Sequence, residues 1–289
     1  MDALFYIDNW CCLQARKVFR LQQSYFSEMS VLLRFFRRNS KHLFEINYQY
    51  DEPSVQGDKI WIFWAQGYDN MPVVVKKCYE SVLKNRGVFD VILLDMENIK
   101  QYIDIPAFIY RKVDEKKITL THFSDILRFS LLRKYGGWWI DSTVFVSKSM
   151  VSPTQLFTIK QCYNNMYVSE AKWCGFLWYM SPNHPLAKFM VDYLYDYWKK
   201  YDNLIEYLLI DYLIQVFYER NGNFRKEIEA LPETNPDLYF FQEKVSEQFY
   251  NEDEWKKIIT RTQFFKTTWK ASQQYEKEGV KTFYGHFFE

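Results

Sequence analysis

The segment Ser124–Thr143 reads SDILRFSLLRKYGGWWIDST, and its pattern decides the fold of the chain. Its first half has the apolar spacing of a helix, and we expect that helix to begin with Thr121 as its N-cap. Gly136-Gly137 end the helix, since glycine is the usual residue just beyond a helix C-terminus. Trp138-Trp139-Ile140 then predict a buried strand that delivers Asp141 at its carboxyl end.

Upstream of this block, the sequence predicts a strand, a helix and a second strand. Residues 59–64 (KIWIFW) and 88–95 (VFDVILLD) are short apolar runs of the kind that form buried strands. Residues 72–84 have helical spacing, and Pro72 stands early in them, where its missing N–H costs nothing. Two strands joined through a helix over so short a stretch form a parallel βαβ unit. The predicted fold class is therefore α/β.

Two carboxylates and one guanidinium are expected to meet at the carboxyl edge of this sheet. Asp125 and Arg128 are three residues apart on the predicted helix and share one face, while Asp141 ends the next strand. Ligands of α/β sheets bind at that edge. A carboxylate there holds ribose hydroxyls or a divalent cation, and an arginine neutralises a diphosphate. The alternatives are a surface ion pair at Asp125 and Arg128 and a simple polar turn at Asp141-Ser142.

Composition and charge narrow the class of protein. The 289 residues carry 37 basic and 36 acidic side chains, so the net charge of +1 gives no reason to expect a nucleic-acid partner. Neither a secretory signal nor a membrane-spanning apolar run is recognisable. The cysteines are odd in number and lack metal-ligand spacing: Cys11, Cys12, Cys78, Cys162 and Cys174. These features predict a cytoplasmic protein with reduced thiols.

Residues 1–52 are predicted to form a basic helical region that precedes one large domain at 53–289. Trp10–Phe44 contains no glycine or proline, and its apolar residues recur at helical spacing. Seven basic residues and one acidic residue give this stretch a local charge of +6. A linker is expected at Tyr50–Asp58. The helices either lie on an anionic membrane surface or pack on the main domain with their charges in water, and the sequence favours neither.

Four segments resemble the capsular polysaccharide synthesis proteins and their relatives among the family-32 glycosyltransferases and the large clostridial glucosylating toxins. Residues 124–143 match the most specific pattern, S-D-x-x-R followed by Y-G-G-x-[WY]-x-D-x-[DT]. Residues 59–67 resemble the opening strand of the family, and 173–186 contain its P-x-H-P element. Residues 264–270 (FFKTTWK) are similar to a C-terminal K-L-T-[WY]-K element.

The resemblance implies a GT-A fold and transfer from a nucleotide-sugar with retention at the anomeric carbon. By position, Trp64 would stack on the nucleobase, with Gln66 beside it in the donor site. Asp125 and Arg128 would contact the donor sugar and its diphosphate. Asp141 would be the first acid of the D-x-D motif and would bind the ribose and, directly or through water, the metal.

Two further positions follow from the same resemblance. Where the wider family has its second metal-binding aspartate, this chain has Thr143, as the capsular subgroup commonly does. A hydroxyl is a poor ligand for a hard cation, so we expect Mn or Mg to bind weakly at Asp141 and Thr143. Asp211 lies in a segment similar to an I-D-Y stretch of the capsular subgroup. It would line the sugar or acceptor pocket, or else act as a structural hydrogen-bond anchor.

The expected reaction is hexosyl transfer from a UDP-sugar to an acceptor glycan in capsular or exopolysaccharide biosynthesis. The acceptor would be lipid-linked, which would place the protein on the inner face of the cell membrane. Two alternatives stay open. One is a non-catalytic member that binds nucleotide-sugar or glycan in an assembly complex, and the other is an enzyme that only hydrolyses the nucleotide-sugar.

Overall fold

The computed structural model describes residues 3–46, 48, 57–154, 156–161, 167–270 and 273–289. Within them the chain is a mixed α/β protein. Its α-helices are α1 (Ala3–Leu21), α2 (Tyr25–Asn39), α3 (Val73–Asn85), α4 (Ala107–Asp114), α5 (Leu120–Tyr135), α6 (Pro185–Lys200), α7 (Leu209–Arg220), α8 (Gly222–Ala230), α9 (Glu252–Arg261) and α10 (Phe283–Phe288). Its strands are β1 (Lys59–Phe63), β2 (Asp90–Leu94), β3 (Gly137–Ile140), β4 (Val144–Val146), β5 (Leu177–Met180), β6 (Phe264–Lys266), β7 (Glu276–Lys277) and β8 (Val280–Lys281).

The central sheet has four strands in the order β2-β1-β3-β5. Strand β1 is parallel to both of its neighbours, with Ile60 opposite Val91 on one side and Trp138 on the other. Strand β5 closes the sheet antiparallel to β3. Because α3 lies between β1 and β2 in the chain, the predicted parallel βαβ unit and the α/β class are confirmed.

Helix α5 carries the decisive block, and it begins earlier than the sequence predicted. Thr119 is the N-cap, and its hydroxyl accepts a hydrogen bond from the backbone N–H of His122 at 3.2 Å. The predicted cap at Thr121 is wrong, because that residue already lies in the first helical turn. At the other end Gly136-Gly137 adopt φ of +63° and +88°. A Cβ on the second glycine would lie 2.3 Å from the carbonyl oxygen of Lys59, so only glycine fits this turn into β3.

A short antiparallel ribbon brings the C-terminal part of the chain back to the end of β3. Strand β6 pairs with β4, with Lys266 opposite Val144. Thr267 extends the pairing, since its backbone N–H and its hydroxyl both donate to the carbonyl oxygen of Thr143, at 2.8 and 2.9 Å. The K-L-T-[WY]-K-like segment therefore lies directly beside the D-x-D-like segment.

The N-terminal helices pack on the rest of the chain. Helix α2 buries Leu32, Leu33, Phe35 and Phe36 in the same hydrophobic core as α6 and α7. The predicted domain boundary at 52/53 falls outside the described residues, as do positions 50–56 of the predicted linker. These helices thus contribute side chains to the main core. Their other faces are left for contact with water or with a membrane surface.

The structure also bears on the thiols and on membrane insertion. Cys11, Cys12, Cys78 and Cys174 are free thiols, and Cys162 lies outside the described residues. None of the helices in the described ranges is both long enough and apolar enough to cross a membrane.

Candidate functional site

The site forms where the parallel strands β1 and β3 end. Trp64 follows β1, and its backbone N–H donates to the carbonyl oxygen of Leu94 at the end of β2, at 2.9 Å. Asp141 follows β3, and its N–H donates to the carbonyl oxygen of Phe176, just before β5, at 3.0 Å. The backbone thus fixes both residues at the carboxyl edge of the sheet, the edge at which α/β folds bind ligands.

Asp141 is the centre of a charged cluster. Its Oδ1 accepts hydrogen bonds from Arg128 Nη2 at 3.0 Å and from Trp139 Nε1 at 2.9 Å. Its Oδ2 accepts from Lys266 Nζ at 3.1 Å. Burial by itself would raise the pKa of Asp141, but the charges of Lys266 and Arg128 and the hydrogen bond from Trp139 outweigh it and hold the pKa below its usual value. Asp141 is therefore an ionised carboxylate held by two cations.

Arg128 links this carboxylate to a second one. Its Nη1 lies 2.9 Å from Asp125 Oδ1, and His122 Nδ1 lies 3.3 Å from the other oxygen of Asp125. The guanidinium also lies 5.2 Å from the centre of the Trp139 ring. Helix α5 is buried on most of its faces, which leaves the Arg128 side chain only 3% exposed and that of Asp125 11% exposed. The structure brings together all three predicted charged residues.

A cavity of about 300 Å³, here called the tryptophan cavity, opens beside Asp141. Trp64 and Trp269 form two of its walls, with ring centres 6.0 Å apart and planes at 82°. The indole N–H of Trp64 is buried and has no hydrogen-bond partner among the described residues, so it can donate to a ligand. The lining residues are Phe63, Trp64, Ala65, Gln66, Leu120, Thr121, Ser124, Trp139, Asp141, Ser142, Thr143, Trp269 and Lys270.

The predicted donor-site residues divide into two groups. Trp64, Gln66, Asp141 and Thr143 line the tryptophan cavity, whereas Asp125 and Arg128 lie behind its wall. Arg128 donates a hydrogen bond to Asp141 and forms an ion pair with Asp125, while its Nε and Nη1 are buried without a hydrogen-bond partner among the described residues.

Sequence reasoning missed three residues of the site. Lys266 contacts Asp141, while Trp269 and Lys270 line the tryptophan cavity. The signal that could have found them is the K-L-T-[WY]-K-like pattern at 264–270, because two lysines and a tryptophan in one short element are typical of a site for an anionic, aromatic ligand.

A second cavity of about 470 Å³, here called the tyrosine cavity, lies on the other side of the charged cluster. Its lining residues are Tyr25, Ile159, Gln161, Tyr167, Ser169, Ala171, Trp173, Cys174, Gly175, Phe176, Glu206, Tyr207, Leu208, Asp211, Leu238 and Tyr239. Phe176 joins the two sides, because Lys266 Nζ lies 4.5 Å from the centre of its ring. The Asp141–Lys266 ion pair thus stands between the two cavities.

Asp211 and Glu206 are the carboxylates that line the tyrosine cavity, and the role of Asp211 in a sugar or acceptor pocket stays a prediction. Asp211 Oδ1 accepts a hydrogen bond from Trp173 Nε1 at 2.9 Å. Burial raises the pKa of Asp211 to about 6. The Trp173 hydrogen bond and the charge of Arg128 oppose this rise, and the charge of Asp125 adds to it. A carboxyl group with a raised pKa therefore faces a pocket that is lined by aromatic rings.

The N-terminal helices build part of the same wall. Tyr25 of α2 lines the cavity, and its hydroxyl is buried without a hydrogen-bond partner in the described ranges. Glu206, another lining residue, forms an ion pair with Arg16 of α1, and Arg16 also binds Glu28 of α2 at 3.0 Å. The basic helices are thus tied to the tyrosine cavity by a buried arginine.

The predicted Mn or Mg site offers few oxygen ligands, and both oxygens of Asp141 are already engaged. A magnesium-sized cation takes about six oxygen ligands, but Asp141 directs both of its oxygens at cations of the chain. The carbonyl oxygen of Thr143 accepts two hydrogen bonds from Thr267. No cluster of three or more His, Cys, Asp or Glu side chains that could hold a metal occurs among the described residues. This arrangement does not fit a resident metal ion, and metal binding stays a prediction.

Three comparisons with known proteins bear on this site. An O-glycosyltransferase of Annulohypoxylon truncatum, braB, is 30% identical over 103 residues, which are 32% of this chain and 24% of that protein. The chain thus spans about a quarter of the length of this curated relative. The solved structure of the PaToxG glycosyltransferase is 15% identical and covers 80% of this chain and 94% of its own, with a TM-score of 0.44.

The third comparison is with protein families. The sequence model described as "Capsular polysaccharide synthesis protein" matches residues 14–287, and so includes the 124–143 block, both cavities and most of the N-terminal helices. This match confirms the resemblance seen in the motifs, and the chain belongs to the capsular polysaccharide synthesis protein family.

Proposed function

We propose that this chain is a retaining glycosyltransferase of the GT-A type, which transfers a hexose from a UDP-sugar to a glycan in capsular or exopolysaccharide biosynthesis. The observation that carries the proposal is the tryptophan cavity. Three indole rings, a carboxylate and a lysine meet there at the carboxyl ends of parallel strands. Membership of the family agrees with this reading, as does the description of the Annulohypoxylon truncatum relative as an O-glycosyltransferase.

The donor nucleotide fits the tryptophan cavity by chemistry. A base can stack on Trp64 or Trp269, a contact worth about 1–3 kcal/mol. Asp141 would accept hydrogen bonds from ribose hydroxyls, and Lys270 would face the diphosphate. Lys270 lines the cavity and has no carboxylate partner in the described part of the chain, so its charge is available to a ligand.

The acceptor glycan fits the tyrosine cavity. Sugar rings present apolar faces that pack on aromatic side chains and hydroxyls that need hydrogen-bond partners. The cavity offers tyrosine and tryptophan rings, the unpartnered hydroxyl of Tyr25 and the carboxyl of Asp211. A lipid-linked acceptor would reach this cavity from the inner face of the cell membrane, with the protein on the cytoplasmic side.

The reaction centre then lies between the cavities, at Asp141 and Lys266. When the bond between the anomeric carbon and the diphosphate breaks, negative charge develops on the leaving group, and fixed cations stabilise that charge. Lys266 and Lys270 are the lysines closest to this point by their contacts with Asp141 and the cavity wall. We expect the acceptor hydroxyl to attack from the face that the diphosphate leaves, which retains the configuration of the sugar.

Release of UDP from a panel of UDP-sugars, with and without glycan acceptors, tests the proposal. Release that depends on an acceptor supports transfer. Equal release without an acceptor would identify a hydrolase, and binding of the nucleotide-sugar without release would identify a non-catalytic member. Asp141→Asn should lower transfer about 10- to 150-fold, as expected for loss of a charged hydrogen bond. The exposed Asp253→Asn is the matched control and should leave transfer unchanged.

A further inference from the structure

Lys266 holds the carboxylate oxygen of Asp141 that Arg128 and Trp139 do not contact. Its Nζ lies 3.1 Å from Asp141 Oδ2, while Arg128 and Trp139 hold Oδ1. The second position of the motif is Thr143, which brings no charge. One carboxylate that is already paired with two cations is a weak site for a divalent ion, because the ion would have to displace a lysine and gain few oxygen ligands.

The fold holds Lys266 firmly in this place. The residue ends β6, in register opposite Val144, and the next residue, Thr267, donates two hydrogen bonds to Thr143. The side chain is 18% exposed, so the ammonium group is shielded from bulk water without being sealed off. In such surroundings a fixed charge acts on a ligand more strongly than it would in water.

The position of the ammonium group matches the point at which the two substrates must meet. It touches Asp141, which lines the tryptophan cavity, and it lies 4.5 Å from the ring centre of Phe176, which lines the tyrosine cavity. A nucleotide-sugar with its base against one of the tryptophans and its hexose toward the tyrosine cavity would carry its diphosphate past Lys266.

We propose that Lys266 supplies the positive charge that a divalent metal ion would otherwise supply to the diphosphate, so that the protein binds and uses its donor without metal. The inference rests on the proposed function. The bond between the anomeric carbon and the diphosphate oxygen breaks, and its electron pair stays on that oxygen beside Lys266. The acceptor oxygen bonds to the anomeric carbon, and its proton passes to the departing nucleoside diphosphate.

Calorimetric titration with UDP, GDP and ADP, each in excess EDTA and again in Mn²⁺, tests the inference on the wild-type protein. We expect one nucleotide to bind with the same affinity in both conditions, within about threefold. Binding that appears only with Mn²⁺, or tightens tenfold or more with it, would overturn the inference and leave the proposed function standing. Absence of binding by every nucleotide in both conditions would overturn the proposed function and the inference together.

A pair of variants then identifies the lysine. Lys266→Met should weaken nucleotide binding in EDTA about 10- to 100-fold, because a charge-assisted contact is lost. Lys266→Arg should retain most of the affinity, since the charge stays. The control is Lys256→Met, at an exposed lysine of α9 that pairs with Glu252. Unchanged affinity in a folded Lys266→Met, checked by circular dichroism, would show that the diphosphate is held elsewhere.

Discussion

The tryptophan and tyrosine cavities lie on either side of one ion pair, yet their walls are assembled in different ways. The tryptophan cavity is built mostly from residues that end or directly follow a strand or begin helix α5, at 63–66, 120–124 and 139–143. The tyrosine cavity draws on Tyr25 of α2 and on segments from four other parts of the chain, near residues 160, 170, 208 and 238.

The difference separates two kinds of specificity. A wall made by a strand end and a helix start is fixed by local sequence, so it suits the part of the reaction that all members of a family share. A wall assembled from distant segments changes whenever any of them changes, so it suits the part that varies between members. We infer that residues of the 124–143 block determine how the donor binds, and that packing around the tyrosine cavity determines which acceptor binds.

The largest expected effect is at Arg128, which lies between Asp125 and Asp141. Arg128→Ala should lower the free energy of unfolding by about 3–5 kcal/mol, because it leaves Asp125 as a buried carboxylate without its arginine and removes one of the two cations that pair with Asp141. Urea unfolding measures this change. The matched control is Arg133→Ala on the same helix, whose ion pair with Asp192 is partly exposed and should be worth at most about 1 kcal/mol.

Similar losses in the two variants would mean that Arg128 does not stabilise the cluster. Its place between the carboxylates would then be suited to direct contact with the donor, as the sequence predicted. Nucleotide titration of both variants completes the experiment, since a donor contact would appear as lost affinity at Arg128 and not at Arg133.

The next effect concerns Asp211 and distinguishes a functional carboxyl from a structural anchor. Its pKa of about 6 in the folded protein exceeds its ordinary value of 3.8, so its contribution to stability is present below about pH 4 and is lost as the pH rises through about 6. Asp211→Asn should therefore leave stability unchanged at pH 4 and raise the free energy of unfolding at pH 8, by at most roughly 3 kcal/mol.

Asp211→Asn should also lower transfer. The neutral amide of asparagine accepts hydrogen bonds from glycan hydroxyls more weakly than a negatively charged carboxylate does. Transfer by the wild-type protein should rise as the pH passes about 6, and this step should be missing in Asp211→Asn. A variant that gains stability and keeps both wild-type turnover and its pH step would show that Asp211 has no role in the acceptor pocket.

At the donor side we expect a smaller change. Trp64→Ala and Trp269→Ala should each weaken nucleotide binding by about 1–3 kcal/mol, the value of a base stacked on an aromatic ring. Calorimetry with the nucleotide that binds best measures the loss. Trp10→Ala is the control, because that tryptophan is 62% exposed on α1 and lines neither cavity. Unchanged affinity in Trp64→Ala would give Trp64 a packing role only.

The contrast between the cavities also marks the reach of sequence reasoning. The helix, glycine pair and strand of the 124–143 block were predictable because apolar period and glycine position are local signals. The cap was misplaced because Thr119 and Thr121 are equally good capping residues, and only the backbone conformation chooses between them. Lys266 was missed because it reaches Asp141 through pairing of strands whose residues stand far apart in the sequence, at 144 and 266.

The smallest expected effect concerns the helices that carry Tyr25 to the tyrosine cavity. Two of their arginines are engaged with acids, the buried Arg16 with Glu206 and the partly exposed Arg37 with Glu219. Their outer surface is different. Helix α1 exposes four apolar side chains, Ile7, Trp10, Val18 and Leu21, and the neighbouring Lys17 has no acidic partner among the described residues. Arg34 of α2 and Lys41 just after it are also exposed without an acidic partner in the described ranges.

An apolar stripe flanked by lysine and arginine is the pattern of a helix that lies in a membrane interface. If the tyrosine cavity takes a lipid-linked glycan, this face should meet the lipid, and each basic residue near the surface should contribute about 1 kcal/mol. We expect the protein to sediment with anionic liposomes and less so as salt rises. Trp10→Ser with Leu21→Ser should weaken sedimentation, whereas Tyr239→Ala, in the cavity, should not. Protein that stays in the supernatant at low salt would make these helices a wall of the acceptor site alone.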